Sequence, residues 1–269
     1  MAANERDEVH ERSSPTGSVV YHAVKKEGED ELDRATTSLA WSGLAAGLSM
    51  GFSFAAEALL RTALPDVSWR PLVVKFGYSI GFLIVVLGRQ QLFTENTLTV
   101  ILPLLRRRDA VTVKNVLRLW AVVLVCNLIG AWTFAFAAGR SAAFDPAVRD
   151  TFAALGRESM ASTIPTTLLR AVYAGWLIAL MVWLLPFAET ARVWVIVIIT
   201  YIVGLGHFSH VIAGSVETFY LVVTGEQSFG QYVAGFLAPA FFGNVLGGVA
   251  LVAAIAHAQF VAGPAAEEA

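Results

Sequence analysis

Residues Val193 to Val223 would read as one long apolar helix but for five residues at their middle, Gly206-His207-Phe208-Ser209-His210. The apolar runs on either side, Val193–Leu205 and Val211–Val223, are together long enough for the roughly 20 residues that cross a bilayer as a helix. Two imidazoles and a serine at that depth are costly unless they face protein or water. Backbone that leaves the helix inside hydrocarbon must find its hydrogen bonds within the protein. Such a segment cannot stand alone in lipid and requires other spans around it. A helix broken at mid-membrane beside titratable groups is a common way to build an ion or substrate site.

The rest of the chain supplies those spans. Of its 269 residues, 56% are hydrophobic and only 15% charged, against about 25% charged in an ordinary soluble domain. This predicts an all-α integral membrane protein. The net charge of −2 marks no partner class, and no basic stretch suggests nucleic acid. The single cysteine, Cys126, excludes an intramolecular disulfide. His, Cys, Asp and Glu show no metal-ligand spacing, and neither a phosphate-binding glycine loop nor a nucleophile elbow is present, so no metal, cofactor or enzymatic activity is expected. A membrane-integral enzyme or sensor built on His207, His210 and Glu217 is the alternative from a different class.

Six apolar segments are expected: Thr36–Leu60, Arg70–Leu105 with a polar interruption at Leu92-Phe93-Thr94-Glu95-Asn96-Thr97, Val113–Ala138, Pro165–Pro186, Val193–Val223, and Phe229–Ala256. A polar linker is expected after the third, around Asp145-Pro146 and Arg157-Glu158. Residues 1–35 read as a disordered or partly helical tail without a signal peptide's early apolar core, residues 36–257 as the channel domain, and 258–269 as a second tail. The connection holding Arg106, Arg107 and Arg108, together with Lys25, Lys26 and Arg34 of the tail, favours both termini in the cytoplasm.

Cys126-Asn127-Leu128-Ile129-Gly130-Ala131 and Gly243-Asn244-Val245-Leu246-Gly247-Gly248 share one pattern, offset by 117 residues. The same offset carries Thr94 to Val211, beside His210. Three spans repeated once must be inverted, because three is odd. The expected fold is therefore six helices as an inverted 3+3 repeat, with the second and fifth broken.

His210 is the first candidate for chemistry, since imidazole titrates near neutrality. Thr94 lies in the paired interruption, where its hydroxyl can serve a permeant or the imidazole. His207, Ser209 and Glu217 are further pore candidates. Arg89 with Glu95, and Lys75 nearby, read as intramembrane ion pairs that hold the broken segments.

Taken together, Gln91-Leu92-Phe93-Thr94-Glu95-Asn96-Thr97, Cys126-Asn127, Leu180-Met181-Val182-Trp183, Phe208-Ser209-His210 and Gly243–Gly248 resemble the formate/nitrite transporter family over about residues 36–257. The resemblance implies an aquaporin-like protomer in the bacterial inner membrane, assembled as a homopentamer, that passes a small anion permeant through its own pore. It implies an outer apolar constriction at Tyr78, Phe82 and Val203, and an inner one at Leu92, Phe93 and Ile178. The chain departs from the family pattern at Ser159, Gly175, Ser209 and Gly214. The glycines are expected to leave more room around His210, which keeps a facilitator of small neutral solutes open as an alternative.

Overall fold

A computed structural model describes residues 16–261. The chain is helical: α1 (Gly17–Asp33), α2 (Thr36–Ala63), α3 (Arg70–Leu87), α4 (96–107), α5 (Ala110–Arg140), α6 (Pro146–Met160), α7 (Ile164–Phe187), α8 (Arg192–Leu205), α9 (Ala213–Thr224) and α10 (Phe229–Gln259). Five of these, α2, α3, α5, α7 and α10, are long and apolar enough to cross a membrane. Helix α8 is equally apolar but has only 14 residues, about 21 Å at 1.5 Å per residue, and cannot cross alone. Large apolar side chains such as Trp41, Leu117, Ile129, Trp194 and Phe242 are exposed on the outside of the bundle. A soluble monomer rarely carries so much exposed apolar surface, and lipid tolerates it.

The tightest packing joins α2 to α5 and α7 to α10. Both contacts rest on small residues that let backbones approach closely. A Cβ on Gly47 of α2 would lie 2.1 Å from the Asn127 carbonyl oxygen of α5, and one on Gly247 of α10 would lie 2.2 Å from that of Val172 on α7. Helix α10 winds into π-helical turns at Val233–Leu237 and Gly247–Ala254.

Two segments differ from expectation. Residues 17–33, in the tail expected to be disordered or partly helical, form a helix that packs on the body. Tyr21, Val24, Gly28 and Leu32 recur at helical spacing and are buried, while Glu27, Glu29 and Glu31 reach Arg89, Arg107 and Arg34. Average composition hides this two-faced pattern. Residues 1–15 lie outside the described part, and α10 continues helically to Val261. The expected linker after α5 holds α6, which begins at Pro146 with Asp145 as its N-cap. Proline suits the first helical position because its missing N–H has no helical partner there. Helix α6 buries Val148, Phe152 and Leu155 and pairs Glu158 with Arg61 at 2.7 Å.

Helix α1 comes closest to the body at Gly28, where a Cβ would come within 1.9 Å of the Thr99 carbonyl oxygen. Overpacking of this kind costs about 1–3 kcal/mol, roughly a tenfold shift in a docking equilibrium. Gly28→Val is expected to speed limited proteolysis within residues 17–33 by about that factor while the detergent melting of the bundle stays put. Unchanged proteolysis would show that this contact does not hold α1.

Candidate functional site

Helix α3 stops at Gly88 and α4 starts at Asn96; α8 stops at Gly206 and α9 starts at Ala213. Each gap opens with a glycine followed by a left-handed residue, Arg89 at φ 52° and His207 at φ 50°. That conformation costs a side-chain-bearing residue roughly 1–2 kcal/mol and ends the helix. The peptide groups released this way are buried and must be paired.

Two asparagines pair them. Asn127 Oδ1 accepts the Phe93 N–H at 2.9 Å, and its Nδ2 donates to the Gln91 and Gly43 carbonyls at 2.9 and 2.7 Å. Asn244 Oδ1 accepts the Val211 N–H at 2.8 Å, and its Nδ2 donates to the Ser209 and Ala171 carbonyls at 2.9 and 2.8 Å. Both side chains are fully buried. The clamped peptides, Phe93 and Val211, lie 118 residues apart, one more than the asparagines. Leu92, not Thr94, therefore holds the backbone position that matches His210.

Thr94 and His210 meet at the centre. Thr94 Oγ1 lies 2.8 Å from His210 Nε2, with both residues buried. His210 Nδ1 accepts the N–H groups of Ile212 and Ala213 at 3.3 and 3.2 Å. A nitrogen that accepts two N–H donors carries no proton, so the geometry assigns the neutral tautomer with hydrogen on Nε2. Nε2–H then donates to Thr94 Oγ1. The Thr97 hydroxyl donates to the Thr94 carbonyl at 2.7 Å and fixes that turn.

Apolar side chains surround this pair. The Phe82 ring meets the His210 ring edge-on at 5.0 Å, and Tyr78 lies 5.4 Å beyond Phe82. Phe93 stacks on Phe241 at 5.4 Å and meets Trp120 at 5.7 Å. Val203, Leu92 and Ile178 are fully buried.

His207, Ser209, His210 and Glu217 come together in one cup of about 50 Å³ that also includes Tyr78, Val203 and Phe236. Charges gather at its wall. Lys75 Nζ donates to Glu57 at 2.8 Å, the Ser159 hydroxyl donates to Glu217, and Arg170 donates to the Ser162 hydroxyl at 2.8 Å. A second cavity of about 350 Å³ lies between α1 and the 88–95 gap, beside Gln90, Glu95 and Arg192.

Three expectations change here. Arg89 pairs with Glu27 of α1 at 3.4 Å, not with Glu95, whose Oε1 has no hydrogen-bond partner. Lys75 pairs with Glu57, missed in the sequence although it is a lone carboxylate in an apolar run. The glycines leave no extra room. A Cβ on Gly175 would lie 2.3 Å from the Asn244 carbonyl oxygen, and one on Gly214 would lie 2.2 Å from the Phe236 ring. Among the described residues no cluster of three His, Cys, Asp or Glu could hold a metal.

Comparison with known proteins gives a consistent picture. The model of the family described as formate/nitrite transporter matches residues 18–258. The inner membrane protein YfdC of Escherichia coli is 38% identical over 253 residues, 94% of this chain and 82% of that protein. Two solved structures are similar in fold: a pentameric formate channel with formate bound, at TM-score 0.67 and 21% identity over 86% of this chain and 96% of that one, and an ion channel of the same family, at 0.72 and 18% over 91% and 99%.

Removing either asparagine strands one N–H and one carbonyl within a gap, since the Gly43 and Ala171 carbonyls keep their helical partners, and each buried unpaired group costs about 1–3 kcal/mol. Asn127→Ala and Asn244→Ala are each expected to destabilise the protein by at least ~2 kcal/mol, read as a lowered melting temperature or loss of folded protein in detergent. Wild-type melting of both variants would refute the clamp.

Proposed function

Because the chain belongs to the formate/nitrite transporter family, we propose that it is a channel for small monovalent weak-acid anions across the bacterial inner membrane, with proton assistance at His210. Residues 36–257 are read as the channel domain, an inverted 3+3 repeat of six spans in which α3–α4 and α8–α9 are the broken pair. The fold shared with a pentameric channel supports a homopentamer with one pore in each protomer, and the arginine-rich connection after α4 supports cytoplasmic termini.

The observation that carries this reading is the Thr94–His210 hydrogen bond set among apolar side chains at the meeting of two helix gaps. A bare anion cannot cheaply pass the layer of Tyr78, Phe82 and Val203, or that of Leu92, Phe93 and Ile178. An anion arriving beside His210 favours the charged ring. A proton taken from solution charges the ring, and the imidazolium gives one proton to the anion, which crosses the apolar layers as the neutral acid and leaves the ring neutral. The N–H groups of Ile212 and Ala213 draw Nδ1 back to its neutral, accepting state afterwards. Thr94 holds Nε2 in line while its own hydroxyl hydrogen is free to turn to the permeant. Ser209, His207 and Glu217 line the approach.

Formate and nitrite flux into proteoliposomes tests this. Flux is expected to fall as pH rises, and His210→Phe is expected to remove that dependence. Thr94→Ala, which deletes one hydrogen bond worth about 0.5–1.5 kcal/mol, should slow flux roughly three- to tenfold. If His210→Phe keeps both the flux and its pH dependence, proton assistance at this residue is wrong.

A further inference from the structure

The charges around the outer cup balance in an uneven way. Glu57 neutralises Lys75 at 2.8 Å, and Glu158 neutralises Arg61 at 2.7 Å. Arg170 also lines the cup, but among the described residues it pairs with no carboxylate and bonds only the Ser162 hydroxyl. Glu217 lines the same cup and pairs with no cation at bonding distance; its carboxylate accepts the Ser159 hydroxyl. Arg170 and Glu217 therefore decide the net charge between them. With both lining histidines neutral, the cup is neutral when Glu217 is ionised and carries one positive charge when Glu217 is protonated.

The charged and titratable groups that share the cup with Glu217, or pair with its lining, come from every side. Glu57 approaches from α2, Lys75 and Tyr78 from α3, Glu158 and Ser159 from α6, Arg170 from α7, and His207 and His210 from the 206–212 gap. Helix α10 contributes the Phe236 ring. Helix α5 brings Arg140 only to the far end of α9, at the Val223 carbonyl. Size adds a second constraint. On a scale where one water needs about 10–15 Å³, the cup of about 50 Å³ has room for a few water-sized groups.

We infer that Arg170 and Glu217 make anion entry conditional on a proton: protonating Glu217 leaves Arg170 uncompensated, and the cup then admits one monoanion of about three or four non-hydrogen atoms. The proton comes from the outer solution and stays on the Glu217 carboxylate while the anion is bound. This rests on the channel reading above but concerns a step before His210, so the two separate in KM and maximal rate.

The test is formate uptake into proteoliposomes between pH 5 and 8, with KM and maximal rate measured for wild type, Glu217→Gln, Arg170→Gln and the double variant. Wild-type KM should rise with pH. Glu217→Gln should hold the low KM at every pH, with the pH slope of maximal rate retained through His210. Arg170→Gln should raise KM at acid pH roughly five- to tenfold, the order expected for one charge pair about 3–4 Å apart in water. The double variant should show a raised KM that does not vary with pH. Wild-type vesicles that pass no more formate than empty ones would overturn the channel reading itself. If wild type conducts while Glu217→Gln keeps the wild-type slope of KM, this inference is overturned and the channel reading stands. Should Glu217→Gln fail to fold, an unchanged acid-pH KM in Arg170→Gln overturns it equally. Acetate and lactate, with four and six non-hydrogen atoms, should compete progressively less than formate; equal competition would overturn the size limit.

Discussion

Peptide groups released in the middle of an apolar bundle have no water to bond, and the rest of this structure depends on how Asn127 and Asn244 meet that need. Each side chain has one acceptor and two donors, and each spends all three on backbone: one N–H and one carbonyl within a gap, and one carbonyl on the neighbouring helix. The gaps are thereby pinned to α2 and α7. The asparagines reach them only because Gly47 and Gly247 let the helix pairs close to backbone contact. Small residues, clamps and gaps form one device, and a methyl group at either glycine would push its parts apart.

The central pair inherits its geometry from that device. His210 sits where the 206–212 gap turns into α9, so the first N–H groups of α9 bond Nδ1 and select the Nε2–H tautomer. Thr94, on the opposite gap, is placed by Thr97 to take that hydrogen. The neighbours of this pair are rings and aliphatic side chains, while charges stay outside it in the Lys75–Glu57 and Arg61–Glu158 pairs. The pair is thus a polar core inside an apolar sleeve.

Much of this was legible in the chain because membrane burial leaves few options. Apolar runs located the long helices to within a few residues, and two polar interruptions located the gaps. The small-Asn-aliphatic-aliphatic-Gly-small pattern at Cys126–Ala131 and Gly243–Gly248 marked the residues that prove to be clamps, though only a repeat was expected of them. The segments misread were the amphipathic ones. Helix α1 and helix α6 have one apolar face each, and Gly17–Asp33 and Pro146–Met160 average to a polar composition. Their helical spacing at Val24, Gly28 and Leu32, and at Val148, Phe152 and Leu155, was the available signal.

The sequence by itself determined that the chain is a bundle of membrane-length helices with two polar breaks, and that His210 and Thr94 belong to them, because hydrophobic length and period are properties of neighbours in the chain. Partner choice is different. That Arg89 turns to Glu27 rather than Glu95, that Lys75 takes Glu57, that Phe236 fills the space beside Gly214, and that Phe93 aligns with Val211 one residue off the asparagine offset were decided only in the tertiary structure. Each follows from which groups the packing of distant helices brings into hydrogen-bond reach, about 3 Å, or into van der Waals contact. One-dimensional spacing does not encode that distance.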